Sequence, residues 1–139
     1  MNRYKFVDIY LGLEETFKVV ITPEKIDKFL EISGDLNPLH VDSEYSKSKG
    51  FADRVVHGML TSSFLSTLVG VYLPGKYCIL QGVEIQFSKP VYINDILTIT
   101  GKVNYINEAY KQIEIKAMIT NQKNNKVLKA KILAGVLHE

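Results

Sequence analysis

This chain has little cysteine and no long apolar segment, and each of these shortages excludes a class of protein. Cys78 is the single cysteine, so no disulfide can form within the chain and a zinc site built from several thiolates is excluded. No run approaches the roughly 18 apolar residues that a membrane span needs, and residues 1–17 carry charges where a signal peptide would be apolar. We therefore expect a cytoplasmic protein without a membrane partner.

The chain also lacks a strong excess of either charge. Its net charge is +2, and no basic run interleaved with aromatic residues is present, so a nucleic-acid partner is not expected. Hydrophobic residues make up 46% of the 139 residues, as in ordinary globular proteins, and no linker or repeat divides the chain. The sequence predicts a single domain over residues 1–139.

The signature motifs of several enzyme classes are missing. Neither a Gly-x-Ser-x-Gly elbow nor a phosphate-binding loop of the Walker or Gly-x-Gly-x-x-Gly type occurs. His40, His57 and His138 lie too far apart for the paired histidines of a helical metal site. We expect neither a metal nor an organic cofactor.

Helices are predicted in the first half of the chain. Thr22-Pro23 has the form of a helix start, and the helix that follows, with Ile26, Phe29, Leu30 and Ile32 as its apolar stripe, should end at Gly34. A short helix is predicted from Ser43 to Lys49. The segment from His57 to Tyr72 holds only apolar and small side chains after His57, which predicts a helix buried on all sides.

The second half alternates between apolar and polar residues, as strands with one buried face do. Asn124-Asn125 is a predicted hairpin turn, and Thr16 to Ile21 is a further candidate strand. A buried helix followed by such strands predicts an α+β fold, with an antiparallel sheet packed on the helix. The expected inward-facing residues are Val83, Ile85 and Phe87; Leu97, Ile99, Val103 and Tyr105; Ile113, Ile115, Ala117 and Ile119; and Leu128, Ala130, Ile132, Ala134 and Val136.

The segment Gly34-Asp35-Leu36-Asn37-Pro38-Leu39-His40 places a carboxylate and an imidazole on one loop. Asp and Asn commonly bond their own backbone in turns, so the pair has a purely structural explanation. The functional alternative is a proton-transfer pair, in which Asp35 accepts a proton from water and His40 orients it or shares it.

A second candidate feature is the step from His57 to Gly58 at the start of the long apolar helix. A glycine there lets a ligand approach its N–H, and the first helical turn favours negative charge. The purely structural alternatives are that Gly58 permits close helix packing and that His57 caps the helix. Ser62, Ser63 and Ser66 lie further along this helix, where serines usually bond back to a carbonyl.

The segments 34–40 and Val56-His57-Gly58-Met59-Leu60 resemble blocks of the MaoC-like, (R)-specific enoyl-CoA hydratase family. Leu73-Pro74-Gly75 and Phe87-Ser88-Lys89-Pro90-Val91 are similar to further blocks, so the resemblance runs from about Thr22 to the C-terminus. It implies a hot-dog fold, in which an antiparallel sheet wraps one long helix. It also implies a homodimer, or an assembly of dimers, with active sites near the interface.

The resemblance further implies the roles of individual residues. Asp35 and His40 would be the catalytic pair, and Asn37 would support their geometry. The Gly58 N–H would bind the thioester oxygen, next to His57, and Ser66 falls at the family's active-site serine. The implied reaction is reversible syn hydration of a trans-2-enoyl-CoA to the (R)-3-hydroxyacyl-CoA, with a role in fatty-acid metabolism and without a cofactor.

Two alternatives to this hydratase stay open. The first is a 3-hydroxyacyl-[acyl-carrier-protein] dehydratase, which performs the same chemistry on an acyl group carried by acyl-carrier protein instead of coenzyme A. Lys47, Lys49, Arg54, Lys76 and Lys89 could serve CoA phosphates or an acidic carrier protein, or form a solvated surface. The second is a non-catalytic hot-dog subunit that only binds acyl-CoA. A thioesterase is disfavoured, because the long apolar helix carries no Asp or Glu.

Overall fold

The computed structural model describes residues 1–138, which form one antiparallel sheet and a set of helices packed on it. None of the helices within that range is long and apolar enough to cross a membrane. In chain order the elements are a 3-10 turn (Phe6–Asp8), β1 (Glu14–Val20), α1 (Pro23–Ser33), α2 (Pro38–Val41), α3 (Ser43–Ser48), α4 (Gly58–Thr67), a π-helical turn (Leu68–Tyr72), β2 (Cys78–Phe87), β3 (Ile96–Asn107), β4 (Gln112–Thr120) and β5 (Lys126–Val136).

The five strands lie in the order β1-β3-β4-β5-β2, and every neighbouring pair is antiparallel. β3, β4 and β5 follow one another along the chain and form a meander. The turn between β4 and β5 has Asn124 in the left-handed region, at a φ of 60°, as the predicted asparagine turn requires. The strand expected near Thr16 is β1, and it lies at one edge of the sheet beside β3.

α1 begins and ends where the sequence predicts. The Thr22 hydroxyl accepts a hydrogen bond from the Lys25 N–H, Pro23 takes the first helical position, and Gly34 closes the helix at a φ of 69°. Ile26 is buried, but Ile32, which we expected on the apolar stripe, points into solvent. It is the last apolar residue before the cap and lies beyond the part of α1 that packs on the core.

The long apolar helix forms as predicted, with one difference in its burial. Leu60 and Leu65 of α4 and Leu68 and Val69 of the π-helical turn are buried in a single core with the inner face of the sheet. Met59, Ser63 and Ser66 are exposed instead. The sheet covers one side of the helix, so the expectation of burial on all sides is wrong for the isolated chain.

Two strands depart from strict alternation. In β3, a register shift between Val103 and Tyr105 turns Tyr105 outward, where it is 57% exposed. Such a bulge adds a residue to one strand and reverses which face later side chains occupy. In β2, Val83 and Phe87 are exposed because this strand lies at an edge of the sheet. The other inward-facing residues predicted for β3, β4 and β5 are buried.

Candidate active site

The loop after α1 is held by its own polar side chains. The Asp35 carboxylate accepts a hydrogen bond from the Asn37 N–H at 3.2 Å, and the Asn37 side chain accepts one from the Leu39 N–H at 2.9 Å. Asn37 is thus the N-cap of α2, and Pro38 takes that helix's first position. These turns place His40, on α2, back beside Asp35.

His40 is fixed by a backbone carbonyl. Its Nδ1 lies 2.7 Å from the carbonyl oxygen of Val55, which can only accept, so Nδ1 carries the proton. Nε2 of the neutral ring therefore has a free lone pair, and it lies 3.7 Å from Oδ2 of Asp35. The His40 side chain is 15% exposed and the Asp35 side chain 48% exposed. The pair is reachable from solvent.

His57 lies beneath this pair. Its ring is 1% exposed and stacks on His40, with ring centroids 4.0 Å apart and an angle of 27° between the planes. Its Nε2 donates a hydrogen bond of 3.0 Å to the backbone carbonyl of Asp35, and Phe29 packs on its other side. The imidazole thus holds the Asp35 backbone in place.

α4 begins at Gly58 and points its N-terminus at the same place. His57 is the N-cap, but its side chain makes no capping bond, and the first intrahelical bonds come from the Leu60 and Thr61 N–H groups. Within residues 1–138 the N–H groups of Gly58 and Met59 have no backbone partner, as is usual for the first turn of a helix. A Cβ on Gly58 would lie 2.9 Å from Cε1 of Phe87, so the ring reaches its position only because residue 58 has no side chain.

These groups line one cleft of about 480 Å³. Asn37 and Ser66 are not among its lining residues; Ser66 lies on the exposed face of α4. Lys89 is at the cleft, whereas Lys47, Lys49, Arg54 and Lys76 are not in its wall. The wall consists of Asp35, His40, Phe51, Val55, Val56, His57, Gly58, Met59, Thr61, Phe87, Ser88, Lys89, Pro90, Val91 and Val127.

Asp35, His40 and His57 lie close enough together to be considered as metal ligands, with one candidate atom of each within 4.8 Å of the others. A metal bound to imidazole lies in the ring plane, about 2.0–2.1 Å from the nitrogen. His40 and His57 are stacked face to face, so their lone pairs lie in separate planes and do not meet at one point. This geometry suits proton transfer better than metal binding.

The loop that presents the Val55 carbonyl is itself tied to α3. The Ser43 hydroxyl donates a 2.7 Å hydrogen bond to Asp53, and with the Arg54 N–H it lowers the pKa of that carboxyl. Cys78, at the start of β2, is outside the cleft, and burial raises the pKa of its thiol to about 11. The thiol is therefore protonated at neutral pH and is not a nucleophile.

Thr61, Phe87 and the Val55 carbonyl are among the contributors to the cleft that sequence reasoning missed. Thr61 could have been found, because it lies one helical turn beyond His57. Phe87 was assigned to the buried face of a strand, although it was also part of a family-like block. The Val55 carbonyl gave no signal, because a backbone group that orients a histidine can belong to any residue type.

Comparisons with known proteins agree with this fold. The family model of the MaoC like domain matches residues 12–127. The chain is 32% identical over 115 residues to the (R)-specific enoyl-CoA hydratase of Rhodospirillum rubrum, covering 83% of this chain and 80% of that protein. It is 33% identical over 98 residues to the 3-hydroxybutyryl-CoA dehydratase of Methylorubrum extorquens, covering 70% of this chain and 62% of that protein.

One solved structure resembles this chain over most of the length of both proteins. The (R)-hydratase from A. caviae involved in PHA biosynthesis superimposes with a TM-score of 0.87 at 26% identity, covering 92% of this chain and 97% of that one. Its hot-dog fold agrees with the fold that the sequence resemblance implied. The match to the Methylorubrum protein, in contrast, spans less than two thirds of that relative's length.

Proposed function

Because the chain belongs to the MaoC-like domain family, we propose that it is a hydro-lyase that adds water reversibly to a trans-2-enoyl thioester. The product is the (R)-3-hydroxyacyl thioester. The observation that carries this proposal is the Asp35 carboxylate 3.7 Å from His40 Nε2, beside the free N–H groups at the start of α4. The named relatives support it, since one is a hydratase and another a dehydratase, the two directions of a single reaction.

The proton-transfer pair is Asp35 and His40. A water molecule between the carboxylate and Nε2 gives up one proton to the pair as its oxygen bonds to C3 of the substrate. The pair then delivers one proton to C2. Two bonds form, C3–O and C2–H, while one O–H bond of water and the π bond between C2 and C3 break, so the pair ends in its starting protonation state. The Val55 carbonyl keeps the lone pair of His40 on Nε2, where it faces Asp35.

The start of α4 stabilises the charge that appears during this reaction. As water adds, the thioester carbonyl acquires enolate character, and its oxygen becomes negative. The Gly58 N–H is preoriented toward the cleft, and the helix dipole adds to its effect. Donors fixed in advance are among the largest contributions to such a reaction. Asn37 contributes by capping α2, while substrate contacts by His57 and Ser66 stay predictions.

The test is replacement of Asp35 by Asn, followed through the enoyl absorbance of crotonyl-CoA. If Asp35 is the base, Asp35→Asn lowers kcat about 10²–10⁴-fold with the fold unchanged. Asp27→Asn makes the same chemical change on the exposed surface of α1 and should leave the rate as it is. Full activity of Asp35→Asn would rule out the proposed role.

The hydratase and the carrier-protein dehydratase differ in the thiol that carries the acyl group. We propose coenzyme A, since both named relatives act on CoA thioesters, and Lys89 is in the cleft wall to meet a phosphate. Rates on crotonyl-CoA and on crotonyl-carrier protein separate this from a carrier-protein dehydratase, which would strongly prefer the second. A protein that binds acyl-CoA without turnover at any chain length would instead support the non-catalytic subunit.

We further propose a homodimer that joins two sheets along β2. This edge strand carries exposed Ile79, Leu80 and Val83, and exposed Met59 lies on α4. An unpaired edge with apolar side chains is a template for another strand, and a second copy offers the same edge. The expected cytoplasmic location and role in fatty-acid metabolism stay predictions from the sequence.

A further inference from the structure

Two polar side-chain atoms buried at the cleft have no hydrogen-bond partner among residues 1–138. They are Nδ1 of His57 and the hydroxyl oxygen of Thr61. Both residues line the cleft, and they are 1% and 2% exposed. Buried polar atoms are nearly always paired, because leaving one unpaired is costly. Two such atoms in the wall of one cleft therefore call for a common explanation.

The two atoms are chemically complementary. His57 uses Nε2–H to donate to the Asp35 carbonyl, so the neutral ring has a lone pair, and no proton, on Nδ1. Thr61 has a hydroxyl proton to donate. The two residues are joined through the backbone, since the Thr61 N–H donates a 3.2 Å hydrogen bond to the His57 carbonyl, and both line the cleft.

We propose that Thr61 is a positioning residue for this site, and that its hydroxyl donates to His57 Nδ1 through one ordered water, since the two atoms make no direct hydrogen bond. This inference rests on the proposed function for its catalytic consequence but not for the hydrogen bond itself. A donor at Nδ1 selects the Nε2–H tautomer of His57. The other tautomer would direct a lone pair at the Asp35 carbonyl and release that loop.

His57 is the residue through which Thr61 acts on both members of the catalytic pair. Its Nε2–H holds the Asp35 backbone at 3.0 Å, and its ring supports the stacked His40 ring. Its backbone, in turn, is the N-cap of α4, whose free N–H groups face the substrate oxygen. A change in the orientation of this one imidazole alters the spacing of Asp35, His40 and the oxygen-binding N–H groups together.

The first test is kinetic and uses Thr61→Val, which replaces the hydroxyl by a methyl group of similar size. We expect kcat on crotonyl-CoA to fall about 10- to 100-fold with KM nearly unchanged, because misplaced catalytic groups slow the chemical step rather than binding. Thr61→Ser keeps the hydroxyl and should restore most of the rate. Thr67→Val, the same replacement further along α4 and outside the cleft, is the matched control.

The second test reads the hydrogen bond without any substrate. Nitrogen-15 NMR of the histidine rings in the full chain should show His57 as the Nε2–H tautomer, with Nδ1 shifted as a hydrogen-bond acceptor. In Thr61→Val the Nδ1 signal should move toward that of a free nitrogen, and in Thr61→Ser and Thr67→Val it should not. If Thr61→Val does not fold, Thr61→Ala serves in its place, since a smaller side chain fits the same space.

The two tests separate failure of this inference from failure of the proposed function. An Nδ1 signal that is the same in wild type and Thr61→Val overturns the inference, whatever the activity. A shift in the NMR signal with no enzyme activity in wild type leaves the hydrogen bond intact and removes the hydratase proposal. Equal loss of kcat in Thr61→Ser and Thr61→Val would count against the proposed role of Thr61, since the hydroxyl would then not be the group that matters.

Discussion

At the scale of single residues, the cleft depends as much on a missing side chain as on the polar ones. Gly58 gives the Phe87 ring room to lie against the helix start, with an added Cβ only 2.9 Å from the ring. In the proposed reaction the same absence leaves the first N–H groups of α4 open to the thioester oxygen. One position would thus control both the shape of the cleft and its charge stabilisation.

Replacing Gly58 by Ala tests this double role. The added methyl group forces the Phe87 ring away and so reshapes the cleft beside the proposed oxygen-binding N–H, and we expect kcat/KM to fall about 10–100-fold. Stability should change little, because Phe87 is a half-exposed side chain that can move and alanine suits a helix. Gly70→Ala is the control, since a Cβ at Gly70 meets nothing within 4 Å. Enzyme kinetics beside thermal unfolding would measure both effects, and a fully active Gly58→Ala would contradict the role.

The residues around the cleft differ in how far the sequence could predict them. Asp35, His40 and Gly58 belong to short motifs whose chemistry is local, and the structure brings all three to one cleft. The supporting contacts were not predictable in the same way. The Val55 carbonyl acts through its backbone, and the stacking of His57 on His40 depends on how α2 packs against the start of α4.

At the scale of elements, the outer face of the sheet carries an unfavourable row of charges. Lys102, Lys116 and Lys131 are directly opposite one another across β3, β4 and β5. In the strand register Glu14 is opposite the first of them and Glu84 opposite the last, whose Nζ lies 3.7 Å from Glu114, and Lys116 in the middle has a lysine on each side. Like charges in directly opposed positions weaken a sheet.

Replacing Lys116 by Glu should therefore stabilise the protein. The new carboxylate would be opposite two lysines, and we expect the free energy of unfolding to rise by about 0.5–1 kcal/mol at low salt. Added salt should shrink this gain by screening the charges. Urea unfolding at two salt concentrations would measure it. Lys18→Glu changes the net charge equally but lies opposite Thr98, so an equal gain there would show that net charge, not the row, is responsible.

Helices and strands were predicted best where the sequence pattern that specifies them is local. All five strands and the main helices were expected from periodicity and caps, since these depend on neighbouring residues. The outward turn of Tyr105 was not, because a bulge depends on pairing with the partner strand. The exposure of Val83 was also missed, since the sequence does not reveal that β2 lies at an edge of the sheet.

At the scale of the whole molecule, the strand order leaves β2 as an edge with apolar side chains in solvent. Met59, on the exposed face of α4, is a further apolar side chain in solvent, and it also lines the cleft. Phe87, at the end of β2, belongs to the cleft wall. A partner along this edge would therefore lie next to the cleft.

The proposed dimer is tested by Val83→Lys. A charge on the edge strand opposes pairing with a second strand, so this variant should be a monomer at concentrations where wild type is a dimer. Light scattering after size-exclusion chromatography gives the mass of each. Val7→Lys introduces the same charge at an exposed apolar residue of the 3-10 turn and should leave the mass unchanged. A wild-type chain that is monomeric throughout would remove the dimer proposal.

The strand order also has a consequence for how the molecule is built during synthesis. Asp35, His40 and Gly58 leave the ribosome before β3, β4 and β5, the meander against which the rest of the fold packs. β1 pairs with β3 through Glu14 and Lys102, and β2 pairs with β5 through Cys78 and Val136, so both outer strands must close long loops. The meander closes only short ones and is expected to form first. The segment that carries the proposed catalytic residues is thus among the first parts of the chain to be made and among the last to reach its final place.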